Sequence, residues 1–212
     1  MHRILPFAVL LFAIAPLLFA IAPLPVLAQG VGLHFTVART TLSESEDEAD
    51  PATRVGGGIS LDLPFTDNAG FRTGIFLARK GAHFSEEMPV SGGTYFDYIE
   101  VPALLRIGIP VGGQAHPYFL LGPALAINVG CSIEASVAGS AISQDCEDVD
   151  VPIRRLDLGL TGGVGLALTS QGGVSFRLDA LYNLGLRQVV DDAESGKHRA
   201  ITGHVGIAFP IG

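Results

Sequence analysis

Basic residues are in short supply in this chain of 212 residues, where 13 Lys and Arg stand against 21 Asp and Glu for a formal net charge of −8. A nucleic-acid partner calls for a basic face that neutralises phosphates, so that class is set aside. Cysteine is nearly absent, with two residues in all. That excludes a four-thiolate zinc site, and no histidine lies inside or beside the segment from Cys131 to Cys146 to complete a mixed one. After residue 28 no apolar run is long enough for a membrane helix, which rules out a helical bundle in the bilayer. No acidic segment carries the spacing of an EF-hand loop, and no cofactor is expected.

One long apolar run does exist, at the very start. Arg3 precedes an unbroken stretch from Ile4 to Ala28 that ends Val26-Leu27-Ala28 before Gln29. This is the layout of a secretory signal peptide over residues 1–28, leaving a single domain over residues 29–212. Within it LLFAIAP occurs twice in tandem, a duplication tolerable where bulk hydrophobicity matters and specific packing does not. Pro16, Pro23 and Pro25 argue against an uncleaved spanning helix.

The rest of the chain alternates. From Val174 to Leu186, Val174, Phe176, Leu178, Ala180, Tyr182, Leu184 and Leu186 fall on one side, with Ser175, Arg177, Asp179, Asn183 and Gly185 on the other. A period of two marks a β-strand with one apolar and one polar face. The same sorting predicts strands at 31–39, 54–65, 70–84, 95–110, 116–130, 151–169, 173–188 and 198–211. Between them, compact turn-forming links such as TDNAG and VGGQA alternate with long polar ones. The pattern is that of an eight-stranded antiparallel up-and-down transmembrane β-barrel, with tight turns in the periplasm and long loops outside.

One phase can be chosen in every strand so that its lipid-facing positions carry no charge through the middle. Leu33, Phe35, Ile59, Leu61, Ile75, Leu77, Leu121, Val164 and Val205 belong to it. The opposite phase collects Asp62, Arg72, Glu100, Arg106, Arg155, Asp157, Arg177 and Asp179, together with His34, Ser60 and His204. Positive and negative groups nearly balance there, so they can pair. A barrel of eight strands is just wide enough for its own side chains to fill the interior, which predicts a plugged lumen and no aqueous pore.

The residues Tyr98-Ile99-Glu100-Val101-Pro102, followed by Ala103-Leu104-Leu105, resemble the strand motif of the PorT-like outer-membrane β-barrel family. The stretches Pro117 to Leu125, Asp157 to Leu168 and Leu178 to Leu186 are similar to that family's later strands. The resemblance implies a small barrel in the outer membrane of a Gram-negative-type bacterium. It implies no activity.

In an exported chain, Cys131 and Cys146 read as a disulfide closing a short loop, for which the loop-closure model assigns about 3 kcal/mol. Most of the acidic residues sit in the long loops, among them Glu44, Glu46, Asp47, Glu48, Asp50, Glu147, Asp148 and Asp150, and read as a solvated, self-repelling surface. Arg39, Arg79, Arg154 and Arg199 fall on the outward phase at the loop ends of their strands, a candidate girdle for outer-membrane lipid headgroups. The expected protein is a non-enzymatic monomer with a structural or interaction role through its loops, its extracellular or envelope partner unspecified. Two other classes are weighed. A lipid-modifying enzyme would need His34 or His204 beside a nucleophile such as Ser60. A soluble lipocalin-like barrel would put its apolar residues inside, the reverse of the pattern here.

Overall fold

The computed structural model describes residues 30–43, 50–85, 90–137, 140–146, 155–186 and 197–211. The signal peptide predicted over residues 1–28, the acidic residues Glu44 to Glu48 and Glu147 to Asp150, and Arg154 lie outside the described residues.

Nine strands account for nearly everything described: β1 (Gly30–Ser43), β2 (Asp50–Pro64), β3 (Ala69–Ser85), β4 (Val90–Gly108), β5 (Ala115–Val137), β6 (Ser140–Asp145), β7 (Leu156–Thr169), β8 (Ser175–Gly185) and β9 (Lys197–Pro210). Every pairing is antiparallel and, β6 aside, joins strands consecutive around the barrel, with β5 pairing β7; β1 pairs β9 from Gly30↔Pro210 to Ser43↔Lys197, which closes the sheet. Eight strands make the closed barrel. β6 is an addition, because β5 outruns its partner β7 and folds back on itself through the pairs Ser132↔Asp145 to Val137↔Ser140.

Alternation is the physical cause of this build. Along β8 exposure switches at every step from Ser175 to Tyr182, buried then exposed. Leu33, Ile59, Ile75, Leu121, Val164 and Ile201 are all more than 40% exposed, yet they are apolar. A water-soluble sheet would bury that face; here it is the outer wall, where hydrocarbon is the solvent. No helix among the described residues is long and apolar enough to cross a membrane.

What would be a hydrophobic core elsewhere is reduced to two small clusters inside the barrel. One joins Leu104, Tyr118, Leu120, Ala167 and Leu181; the other joins Phe96, Tyr98 and Ala126, with Cys131 packed against it. Tight links join β2 to β3, β4 to β5 and β7 to β8 at one end; at the other, β3 and β4 are separated by residues 86–89 alone, shorter than the long loop read from the sequence there. Between β7 and β8, Gly173 takes a φ of 80°, which L side chains rarely adopt, and donates its N–H to the Ser170 carbonyl at 3.0 Å.

Several boundaries differ from the alternation-based reading: β1 runs on to Ser43, β2 starts at Asp50 and β4 at Val90, each four or five residues beyond the predicted limit. Strand five continues to Val137 instead of ending at 130, since Ser, Ala and Val there keep an extended backbone that β6 can pair. Strand six begins at Leu156, so Arg155 stands just outside β7 and is exposed; it is not a lumen residue.

Candidate functional site in the barrel lumen

Cross-strand register decides which inward groups meet. Asp62 on β2 stands directly opposite Arg72 on β3, and Arg72 Nε donates to Asp62 Oδ1 at 3.0 Å. The same guanidinium crosses the lumen to β8, where Nη1 donates to Asp179 Oδ2 at 3.1 Å. Arg177, one inward step below Asp179 on β8, reaches back to Asp62 Oδ2 at 2.5 Å. The Tyr118 hydroxyl donates to Asp179 Oδ1 and lies 3.5 Å from Arg72 Nη1. β2, β3, β5 and β8 are thus tied together through the interior by one continuous polar network. Gly165, opposite Asp179, leaves room for it, because a Cβ there would collide with the Tyr118 ring and with Asp179 Oδ1.

A second, upper level holds the Lys80–Glu100 ion pair, with Asp157 buried on the same rung as Glu100 through Ala126. Asn183 accepts from Thr161 at 2.6 Å and donates to Thr202 at 3.0 Å, linking β7, β8 and β9. Arg106 is different. It lies over the Tyr118 ring at 4.5 Å, and among the described residues no carboxylate pairs with it.

The histidines come together as closure of β1 on β9 requires. His34 and His204 have ring centroids 6.0 Å apart, and Phe76 packs against both at 5.7 and 5.4 Å. His34 Nε2 lies 2.8 Å from Ser60 Oγ, the spacing of a nucleophile and its base. Chemistry of that kind also needs an acid on the other ring nitrogen and a path for substrate. His34 Nδ1 has no hydrogen-bond partner, and Ser60 is 0% exposed. Among the described residues, His34, Asp179 and His204 form the group with metal-ligand spacing, their ligand atoms lying within 4.8 Å of one another. Asp179 is already engaged by Tyr118 and by Arg72, whose positive charge sits where it opposes a cation.

At the loop end, Arg79 does not present a free fork to lipid. Its guanidinium bonds Ser132 Oγ at 2.6 Å and Glu134 Oε1 at 3.1 Å, lies 3.5 Å from Asp97, and shares the Tyr95 ring with Arg54. Arg39 and Arg199 are exposed on adjacent strands, at rungs two apart. Cys131 and Cys146 form a disulfide across the base of the β5–β6 hairpin, with Cα atoms 5.4 Å apart.

Among the predicted lumen residues, Asp62, Arg72, Glu100, Arg106, Asp157, Arg177 and Asp179 all face inward. Tyr118 and Phe76, central to the arrangement, are not among them. Both have the inward parity of their strands, so the alternation could have found them; their apolar character hid them among core-filling residues.

The family model described as outer membrane protein beta-barrel domain matches residues 27–191. A search of curated proteins finds no match to the sequence. Among solved structures, Neisserial surface protein A (NspA) superposes with a TM-score of 0.51 at 15% identity, covering 87% of this chain and 98% of that one. The outer membrane protein OprG from Pseudomonas aeruginosa superposes with a TM-score of 0.54 at 12% identity, covering 87% and 96%. Identities this low establish a shared fold alone.

Proposed function

The chain belongs to the outer membrane protein β-barrel domain family, and from that premise we propose that it works as a non-enzymatic, non-conducting monomeric barrel whose role is structural or interactive. The observation that carries this reading is the Arg72 bridge from β3 to β8. It splits the lumen, and above it remains an enclosed space of about 50 Å³, room for a few waters and no ion path. Export through residues 1–28 supplies the route to the membrane. The Tyr98-Ile99-Glu100-Val101-Pro102 motif supports a place near the PorT-like barrels.

Reconstitution into a planar bilayer tests the plug. Wild-type protein is expected to leave the membrane without discrete current steps. Regular steps in the wild-type protein would overturn the reading.

Two surfaces are left for interaction. The long acidic segments between strands suit a protein partner in the envelope or outside the cell. Arg39 and Arg199 suit phosphates of the outer leaflet, since guanidinium forks match that geometry. Replacing both by Gln is expected to lower the lipopolysaccharide that co-purifies with the barrel, measured as lipid A per mole of protein. Unchanged lipid content would remove this contact. Absence of catalysis rests on Ser60, which no lipid can reach from either end of the lumen while the network is intact.

A further inference from the structure

Among the described strands, β6 alone lies outside the closed barrel. β5 pairs β7 as far as Ile127↔Leu156 and then, along the same edge but higher, pairs β6 from Ser132↔Asp145 to Val137↔Ser140. β7 starts at Leu156 and β8, the next strand round, ends at Gly185, so neither rises beside β6. Among the described residues no strand pairs its other edge. Ser143 and Gln144, neighbours that point to opposite faces, are both exposed, so β6 is uncovered on two sides at that level. Two residues separate Val137 from Ser140, which makes theirs a hydrogen-bonded pair. By alternation, Ala141, Ser143 and Asp145 then turn their backbone N–H and C=O groups away from β5.

An open strand edge is a template for another chain, and proteins usually blunt it with Lys, Pro or a bulge. β6 reads Ser-Ala-Ile-Ser-Gln-Asp, in unbroken register with β5, and has none of these. Its place is also fixed in advance: Cys146, 1% exposed, is tied to Cys131, which packs against Phe96 and Tyr98. A preorganised edge binds without first having to be ordered. Charge selects the occupant. β6 ends in Asp145, Glu147, Asp148 and Asp150 follow it in the chain, and no Lys or Arg occurs from Ser140 to Ile153. A second copy is a poor fit, since a twofold axis along the membrane normal would lay the two β6 strands parallel and bring their acidic ends together. We propose that the free edge of β6 takes up an extended cationic segment of another protein as an added strand. Main-chain hydrogen bonds supply the affinity, and Lys or Arg beside the acidic end supplies the preference. This rests on the interactive role proposed above and names the surface that performs it.

The test uses the full purified protein in zwitterionic detergent, with heat-modifiable gel mobility confirming the fold of each variant. The probe is a fluorescent peptide of about ten residues in which Thr and Lys alternate, and binding is read from its anisotropy at constant ionic strength. A second peptide of the same sequence is N-methylated along its main chain, which keeps the charge and removes the donors. Methylation is expected to weaken binding about tenfold, the loss of a small number of net hydrogen bonds. Ser143→Pro takes away an outward N–H at a position that β5 does not use, and is expected to weaken the unmodified peptide by a similar factor. Ser143→Lys guards the edge with a like charge and carries the test if the proline variant fails to fold. Amide hydrogen exchange across Ser140–Asp145 is expected to slow when the peptide is bound. Binding that falls on methylation and in the Ser143 variants, with slowed exchange, assigns an edge-docked strand. Equal binding of the two peptides, or binding unchanged in both variants, overturns the proposal and leaves the acidic loops as the interacting surface. No binding of the unmodified peptide overturns it as well. The plugged-barrel reading is judged separately by the bilayer currents, because β6 lies outside the lumen.

Discussion

Arg72→Met is expected to destabilise the folded barrel by about 3 to 5 kcal/mol, the usual result of removing one partner from a buried charge network. Arg72 is 3% exposed and holds Asp62 and Asp179 at once, so its loss strands Asp179 with only the Tyr118 hydroxyl. A thioether fills much of the volume but neutralises nothing. The double variant Arg72→Met, Asp179→Asn is expected to recover part of the loss, because neither member is then left charged and alone. Urea unfolding in lipid vesicles, followed by gel mobility, measures both. A single variant within about 1 kcal/mol of wild type would show that the network is incidental to stability.

The other large effect lies on the opposite face of the same strand. Ile75 is 60% exposed, on the apolar outer face midway between the Ala69 end of β3 and the Arg79 cluster. Ile75→Arg is expected to cost about 2 to 4 kcal/mol, whereas Val129→Arg, close to the loop-end interface, is expected to cost about 0 to 1 kcal/mol. The ratio between the two is the informative quantity, since both residues are exposed and apolar and only depth differs. Equal costs would mean that the apolar band is placed wrongly.

Strand number, phase and the inward set were legible in the sequence because period-two alternation is local: each residue's face follows from its neighbours. Relative height is not local. Whether His34 meets Ser60 depends on the β1–β2 register, His34↔Gly58, which no single strand encodes. The same holds for Arg72 and Asp179, which are far apart in sequence and meet only across the lumen. Arg79 read as a lipid contact because its own strand puts it outward; Asp97 and Glu134, which claim it, come from β4 and β5. Arg155 was assigned inward by extending a strand that starts one residue later. The β5–β6 hairpin escaped notice for another reason, since a small-residue segment such as Ser136 to Ser143 shows little contrast between faces.

The pairing of Gly30 with Pro210 has a consequence for how such a molecule is made. Until the last strand arrives, β1 has one flank bare, and a bare flank in hydrocarbon leaves a row of amides and carbonyls with nothing to bond. A polypeptide cut before Lys197, and so without the fourteen residues of β9, would therefore strip two flanks at once, on β1 and on β8. The seam between the first and last strands is therefore what leaves the closed wall without a bare flank.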